Sequence, residues 1–197
     1  MSTPAFQALL HAAKTAHDTH AQLKGFVAFP TDLQPSPYQA YHIPAADLLE
    51  RDPDMLGAPD PLARAFVNAG PDAQWRETYK DTDIGADFMD CFACYCLIGA
   101  GGPWISQKMS GYVVYMPPNL HYPWHHHPAE EMYLVLAGQA RFMREGSDPE
   151  ILHPGDTSFH ASNQPHAMET GDHSVMAYVT WRNNLGTPPV LTERDIK

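Results

Sequence analysis

The stretch His125-His126-His127-Pro128-Ala129-Glu130-Glu131 carries two imidazoles, His125 and His127, spaced two residues apart. On an extended strand that spacing turns both rings to one face. Glu131 follows after a short turn and brings a carboxylate to the same place, while the side chain of His126 points away. Downstream, Pro154-Gly155-Asp156-Thr157-Ser158-Phe159 is followed by Pro165-His166, which supplies a third imidazole from another strand. Gly138 and Gly155 stand where tight turns are needed. Three neutral nitrogens and one carboxylate oxygen suit a divalent first-row metal and leave coordination positions open for a substrate. His125, His127, Glu131 and His166 are therefore the candidate ligands. Fe, Mn, Zn, Ni and Co are all compatible with such donors, so the ligand types alone do not choose the ion.

A run of three histidines can also be a solvated polar tract, and 12 histidines in 197 residues allow chance clusters. The joint pattern is harder to dismiss. His-x-His, three residues, Glu, six residues, Gly resembles the first sequence motif of the cupins, and Pro154 to His166 resembles the second. That resemblance implies a mostly β fold: a single cupin (double-stranded β-helix or jelly-roll) barrel with a metal site inside. Each motif occurs once, so one barrel is expected.

Composition bounds the rest. A chain of 197 residues is long enough for one sizeable core. No apolar run approaches the length needed to cross a bilayer. Phe6 to Ala13 is interrupted by His11, followed by Lys14 and preceded by no basic leader, so no signal peptide is read there. With 12 basic against 23 acidic residues the formal charge is −11, which argues against nucleic acid or an anionic membrane as partner. The same charge also serves solubility. Cys91, Cys94 and Cys96 are the only cysteines. Cys91-x-x-Cys94 lacks a second pair for structural zinc, and an odd count without a leader suggests free thiols packed in a core, in a reducing cytoplasm. Oligomeric state is not set by the sequence, and a homo-oligomer is compatible with it.

Residues 4–24 have helical spacing, with Phe6, Leu9, Leu10, Ala13 and Leu23 as the buried candidates. Prolines 30, 35, 37, 44, 53, 59 and 61 then oppose long helices and central strands. Short helices are expected at Ala45–Glu50 and Pro61–Asn68, the latter with Pro61 in its first turn. Strand-like runs begin near residue 90: Cys94–Ala100, Gly111–Met116, Glu131–Ala137, Gln139–Arg144, His166–Glu169 and Ser174–Trp181. Ala137-Gly138-Gln139 reads as the turn between two antiparallel strands. Residues 1–84 are thus expected as a helical, Pro-rich extension packed on a barrel formed by residues 85–197, because the extension has too few large apolar residues for a core of its own.

A closer resemblance covers roughly residues 85–192. Tyr122-Pro123-Trp124-His125-His126-His127-Pro128-Ala129-Glu130-Glu131-Met132-Tyr133, then Gly155-Asp156 to His160, Pro165-His166-Ala167 and Val179-Thr180-Trp181-Arg182, resemble the cupin dimethylsulfoniopropionate (DMSP) lyases of marine bacteria, of the DddQ and DddL type. The resemblance implies cleavage of DMSP to dimethyl sulfide and acrylate. It matches His125, His127, Glu131 and His166 to the family's metal ligands, Tyr133 to its candidate base and Tyr122 to a second pocket tyrosine. Trp181 matches a pocket tryptophan more loosely.

The chemistry fits those residue types. A sulfonium is already a good leaving group, so the barrier lies in removing the proton α to the carboxylate. A Lewis acid at the carboxylate lowers the cost of the enolate-like charge, and a base must reach that carbon. Tyr133 shares strand parity with Glu131 and should face the same cavity; a nearby cation favours its anion. Tyr122, Trp124 or Trp181 can hold the sulfonium against an aromatic face, a contact worth about 0.5–2 kcal/mol. His160 reads either as an outer partner of the ligands or as a hydrogen-bonded core histidine. Two other classes compete: an Fe(II) cupin dioxygenase, which would consume O₂, and a non-catalytic small-molecule-binding cupin, which would have no need of Tyr133.

Overall fold

The computed structural model of the protein describes residues 2–193; residues 194–197, the end of the expected barrel span, lie outside it. Two helices open the chain, α1 (Pro4–Thr19) and α2 (Ala21–Phe26). The 4–24 segment is therefore interrupted once, at His20, whose backbone is extended. His20 ends one helix by donating its N–H to Ala16 O, and starts the next by accepting from the Leu23 N–H with Nδ1. Phe6, Leu9, Ala13 and Leu23 are buried, whereas Leu10 is half-buried at the edge of that packing.

The two short helices expected in the proline-punctuated stretch are present as α3 (Pro44–Arg51) and α5 (Pro61–Ala69), and an unexpected one, α4 (Pro53–Leu56), lies between them. Each begins on proline, whose missing N–H costs nothing in a first turn. Asp52 and Asp60 cap α4 and α5 by accepting backbone N–H groups, so the prolines here start helices. A short α6 (Ala86–Met89) leads into the barrel.

Two sheets face one another. The larger contains β1 (Gln34–Pro35), β2 (Ala93–Ile98), β3 (Trp104–Ile105), β4 (Ser110–Met116), β6 (Glu130–Gly138), β9 (Thr157–His160) and β11 (Val175–Arg182), in the order β1-β3-β2-β4-β11-β6-β9. The smaller contains β5 (His121–His126), β7 (Ala140–Arg144), β8 (Glu150–Leu152), β10 (His166–Glu169) and β12 (Val190–Leu191), in the order β12-β5-β10-β7-β8. Together they form the mostly β, single cupin barrel.

The period of two in the strands sorts side chains into two cores. Tyr95, Leu97, Val113, Tyr115, Leu134, Leu136 and Tyr178 face outward and pack with Phe6, Leu9, Leu49 and Phe66 of the helices. Cys94, Cys96, Tyr112, Val114, Tyr133, Val135, Val179 and Trp181 face into the barrel.

One turn departs from expectation. The strands on either side of Gly138 do not pair: β6 lies between β11 and β9, and β7 between β10 and β8. Gly138 is the corner at which the chain leaves one sheet for the other. Its φ of +68° and the carbonyl of Ser174, 1.9 Å from where a Cβ would sit, leave room only for glycine.

Candidate metal centre and active site

The site begins with β5. His125 and His127 are both 2% exposed, whereas His126 is half-buried and its Nδ1 lies 2.7 Å from Thr192 Oγ1. Tyr122 is also buried, although it lies an odd number of residues from His125. A bulge explains it. On β10, His166 pairs with His125 and Met168 with Tyr122, so two steps there oppose three on β5. The extra residue, at Pro123-Trp124, re-aims the strand. Tyr122 then stacks flat on His125, with ring centroids 4.0 Å apart and planes at 15°.

Each candidate ligand histidine is fixed by its own backbone. Nδ1–H of His125 donates to Pro123 O at 2.8 Å, that of His127 to Ala129 O at 3.0 Å, and that of His166 to Gln164 O at 2.9 Å. A carbonyl can only accept, so Nδ1 carries the proton and Nε2 of a neutral ring presents its lone pair inward. The Nε2 atoms of His127 and His166 are buried with no hydrogen-bond partner, although they lie 3.4 and 3.1 Å from Glu131 Oε2. The contacts are close but not aligned for hydrogen bonding. Donor atoms of His127, Glu131 and His166 all fall within 4.8 Å of one another. His125 is outside that tight group but adjoins it, its ring centroid 4.1 Å from that of His166. Convergent buried lone pairs beside a carboxylate are unfavourable on their own and fit a cation. The residues present therefore match a divalent metal.

Glu131 is held from two sides. Trp181 Nε1–H donates to Oε1 at 2.7 Å, and His160 Nδ1–H donates to Oε2 at 2.8 Å. Ser158 Oγ, 3.0 Å from His160 Nε2, donates to that nitrogen, and His160 stacks on His166 at 3.9 Å. Both nitrogens of His160 are thus occupied, which places it behind the carboxylate. Burial alone would raise the Glu131 pKa, but the charges of His127 and His166 and the hydrogen bond from His160 outweigh it and hold the carboxyl well below the usual range. Burial, reinforced by the charge of His166, lowers His160 to about 4 and His125 well below its ordinary value. At His127 the Glu131 carboxylate prevails over burial and raises the pKa.

A narrow cavity of about 50 Å³ opens beside Glu131, with Tyr122, Tyr133 and Trp181 among its walls. Trp181 also leans over His127, centroids 4.2 Å apart. Tyr133 is 4% exposed, its ring packed against Phe142 and His160. Burial and the Glu131 charge raise its pKa well above the phenol value. Trp124 is half-buried and is not among the residues lining the cavity. A wider groove of about 710 Å³ runs outside the barrel, along α1, α4 and β6. It holds none of the candidate ligands.

Several residues at the cavity wall or behind it escaped the sequence reading. Tyr79 shares a 2.7 Å hydrogen bond between hydroxyls with Tyr122. Arg76, Thr78, Phe92, Tyr112 and Pro189 also border the cavity, and so does Cys94, expected only as core. Arg76, Thr78 and Tyr79 lie in a segment without periodicity, and nothing local marks them. The inward alternation of β2 was the available signal for Cys94.

Known proteins share this fold. The DMSP lyase family model matches residues 26–177. The dimethylsulfoniopropionate lyase DddQ of Ruegeria pomeroyi is 53% identical over 190 residues, covering 96% of this chain and 94% of the relative. The crystal structure of DMSP lyase DddQ from Ruegeria pomeroyi superposes with a TM-score of 0.94 at 52% identity, covering 97% of this chain and 98% of that one. A chain from a crystallographic study of the DMSP lyases RdDddP and RnDddQII reaches 0.90 at 36% identity, over 96% and 98%. With a match that spans the helical layer as well as the barrel, this chain belongs to the DMSP lyase family.

Proposed function

We propose that the protein cleaves DMSP to dimethyl sulfide and acrylate by base-catalysed β-elimination, with one divalent metal ion (Fe, Mn, Zn, Ni or Co) held by His125, His127, Glu131 and His166. The observation that carries the reading is the pair of buried, partnerless Nε2 atoms converging on Glu131, which itself borders a cavity walled by tyrosines. Bound there, the ion would act as a Lewis acid on the substrate carboxylate and as a counter-charge for the phenolate of Tyr133.

The chain's own groups supply the rest. Tyr133 Oη takes the α-proton, and the electron pair moves to form the C=C bond as the C–S bond breaks and dimethyl sulfide leaves. Burial and the Glu131 charge favour the protonated phenol, so its ionisation depends on the positive charge that the ligand set is built to hold. His160 and Trp181 fix both oxygens of Glu131, so the carboxylate need not reorganise during the reaction. The aromatic faces of Tyr122 and Trp181 are the supports for the sulfonium, with Tyr122 locked by Tyr79 and His125. Trp124 has the weakest claim to such a role.

Three free cysteines support a cytoplasmic location, no described helix is long and apolar enough to cross a membrane, and the formal charge of −11 speaks against nucleic acid. Residues 1–84 act as an extension that shares its core with the barrel of residues 85–197. The decisive experiment is headspace detection of dimethyl sulfide from purified protein given DMSP, with and without chelator and air. Release should persist without O₂ and stop with chelator. No dimethyl sulfide under any metal loading would sink the proposal, and O₂ uptake matching substrate loss would move it to a dioxygenase.

A further inference from the structure

Arg76 stands out among the groups that the mechanism leaves unused. Trp75 forms an antiparallel bridge with Tyr95, and the Arg76 N–H donates to Cys94 O at 2.9 Å, so these two residues cover the part of β2 that β3, paired only at Ile98, leaves open. Neighbours on an extended chain point to opposite faces. Trp75 enters the helical layer and donates Nε1–H to Gly70 O, which sends the Arg76 side chain to the barrel side. There its guanidinium lies 5.3 Å from the ring centroid of Tyr112 and borders the cavity with Cys94, Tyr122 and Glu131.

The cation has little to satisfy it. Among the described residues no carboxylate pairs with Arg76, and its one side-chain hydrogen bond is a long one, 3.4 Å to Ala100 O. Arg182, by contrast, has Glu130 and the Phe26 carbonyl. Arg76 and Thr78 also border a surface depression of about 470 Å³, so they stand in the wall between solvent and the inner cavity. A guanidinium presents a planar fork that matches a carboxylate, and a half-buried one without a counter-ion gains most from an anionic ligand.

We infer that Arg76 is a specificity-determining residue that receives the carboxylate end of a small zwitterion and keeps its cationic end away from that wall. The inference rests on the reading of the cavity as a DMSP site. It assigns the two ends of the substrate to different surroundings: the carboxylate towards Arg76 and the ligand set, the sulfonium towards the aromatic faces. A neutral wall would leave the reversed orientation available, with the sulfonium at the outer end.

The test separates charge recognition from packing. Metal-loaded wild type, Arg76→Met and Arg76→Lys are titrated calorimetrically with propionate, which has the carboxylate alone, and with trimethylsulfonium, which has the cation alone. Met keeps the aliphatic stem, so Arg76→Met should weaken propionate by about 10–100-fold while trimethylsulfonium binds as well or better. Arg76→Lys should keep much of the propionate affinity. Equal weakening of both probes would show a packing role and overturn the inference, as would no change in either. If Arg76→Met does not fold, Arg76→Lys against Arg76→Gln reads the same ratio. A wild type that releases no dimethyl sulfide would defeat the functional reading itself, whereas an active wild type with an unchanged ratio defeats only the role of Arg76.

Discussion

His17 and His127 are buried to the same degree, 1% and 2% exposed, on opposite sides of the seven-stranded sheet, yet their surroundings differ. His17 lies in the helical layer. Its Nδ1–H donates to Val27 O at 3.1 Å, and its Nε2 faces the Tyr178 hydroxyl at 3.3 Å. Both nitrogens are satisfied by the protein, which makes it a core side chain with polar ends. His127 has the same first bond, to a carbonyl, but its Nε2 has no partner. Burial therefore does not distinguish a structural histidine from a functional one. The second nitrogen is what sets them apart, because a fold that leaves such an atom without a hydrogen bond incurs a penalty that a bound cation would remove.

The largest effect that could break this contrast comes from truncating the ligands. His127→Ala or His166→Ala should cost more than the about 10–100-fold in metal affinity that loss of an outer partner costs, and should abolish dimethyl sulfide release. His160→Ala should fall within that range, because it removes only a donor to Glu131. His17→Ala should keep its metal and lose stability instead. Elemental analysis beside a denaturant melt checks all four. Full metal occupancy in His127→Ala would show that a partnerless nitrogen is not the mark of function claimed for it.

Next in size is Tyr133. Tyr133→Phe keeps ring and volume and removes one oxygen, so metal content and folding should be retained. The expected loss is about 10²–10⁴ in kcat with little change in KM. Tyr122→Phe is the comparison, since its hydroxyl is already engaged by Tyr79 and its ring remains on His125. Were Tyr122→Phe inactive and Tyr133→Phe near wild type in steady-state kinetics, the two roles would exchange.

How much of this was readable beforehand follows from which contacts are local. His-x-His and Glu131-x-Tyr133 obey the period of two, so their convergence was legible from spacing. Tyr122 breaks that period through a bulge at Pro123-Trp124, and the sequence marks a proline there without saying which way the strand turns. The corner at Gly138 was legible as a turn, but no local signal says which sheet receives the next strand. Arg76 reaches the cavity, and Tyr79 the hydroxyl of Tyr122, because their segment crosses to β2, a contact between distant parts of the chain that periodicity does not encode. The helices α3 and α5 were legible, whereas α4 was not: proline opposes a helix interior but favours its first turn, and at Pro53 only the capping Asp52 marks a start.

A smaller effect lies in the acid limb of stability. Burial holds His17 at about 4 against an ordinary 6.5. The folded chain keeps it neutral where the unfolded chain would protonate it, so the unfolded state binds the extra proton and acid favours unfolding. Stability from this residue is complete above pH 6.5 and is lost as pH falls towards 4, by roughly 3 kcal/mol. The difference between wild type and His17→Gln in urea midpoints across that range isolates the contribution, since the other histidines titrate in both. A difference that does not change with pH would mean that His17 is not held neutral by its burial.

The smallest effect expected is at His126, between the two inward histidines. Its Nδ1 lies 2.7 Å from Thr192 Oγ1, its side chain is half-buried, and its strand pairs there with Val190 of β12. His126→Ala removes one partly solvated hydrogen bond to a hydroxyl, worth about 0.5–1.5 kcal/mol. It leaves the backbone register of β5 intact, and that register is what aims His125 and His127. Metal content and turnover should therefore match wild type, with a shift in the melting midpoint of a few degrees at most. The variant is informative because it differs from His127→Ala by a single step along the chain. A loss of metal on removing His126 would mean that β5 presents its other face to the barrel. The orphaned Nε2 atoms, the stacking of Tyr122 on His125 and the assignment of all four ligands would then have to be redrawn together.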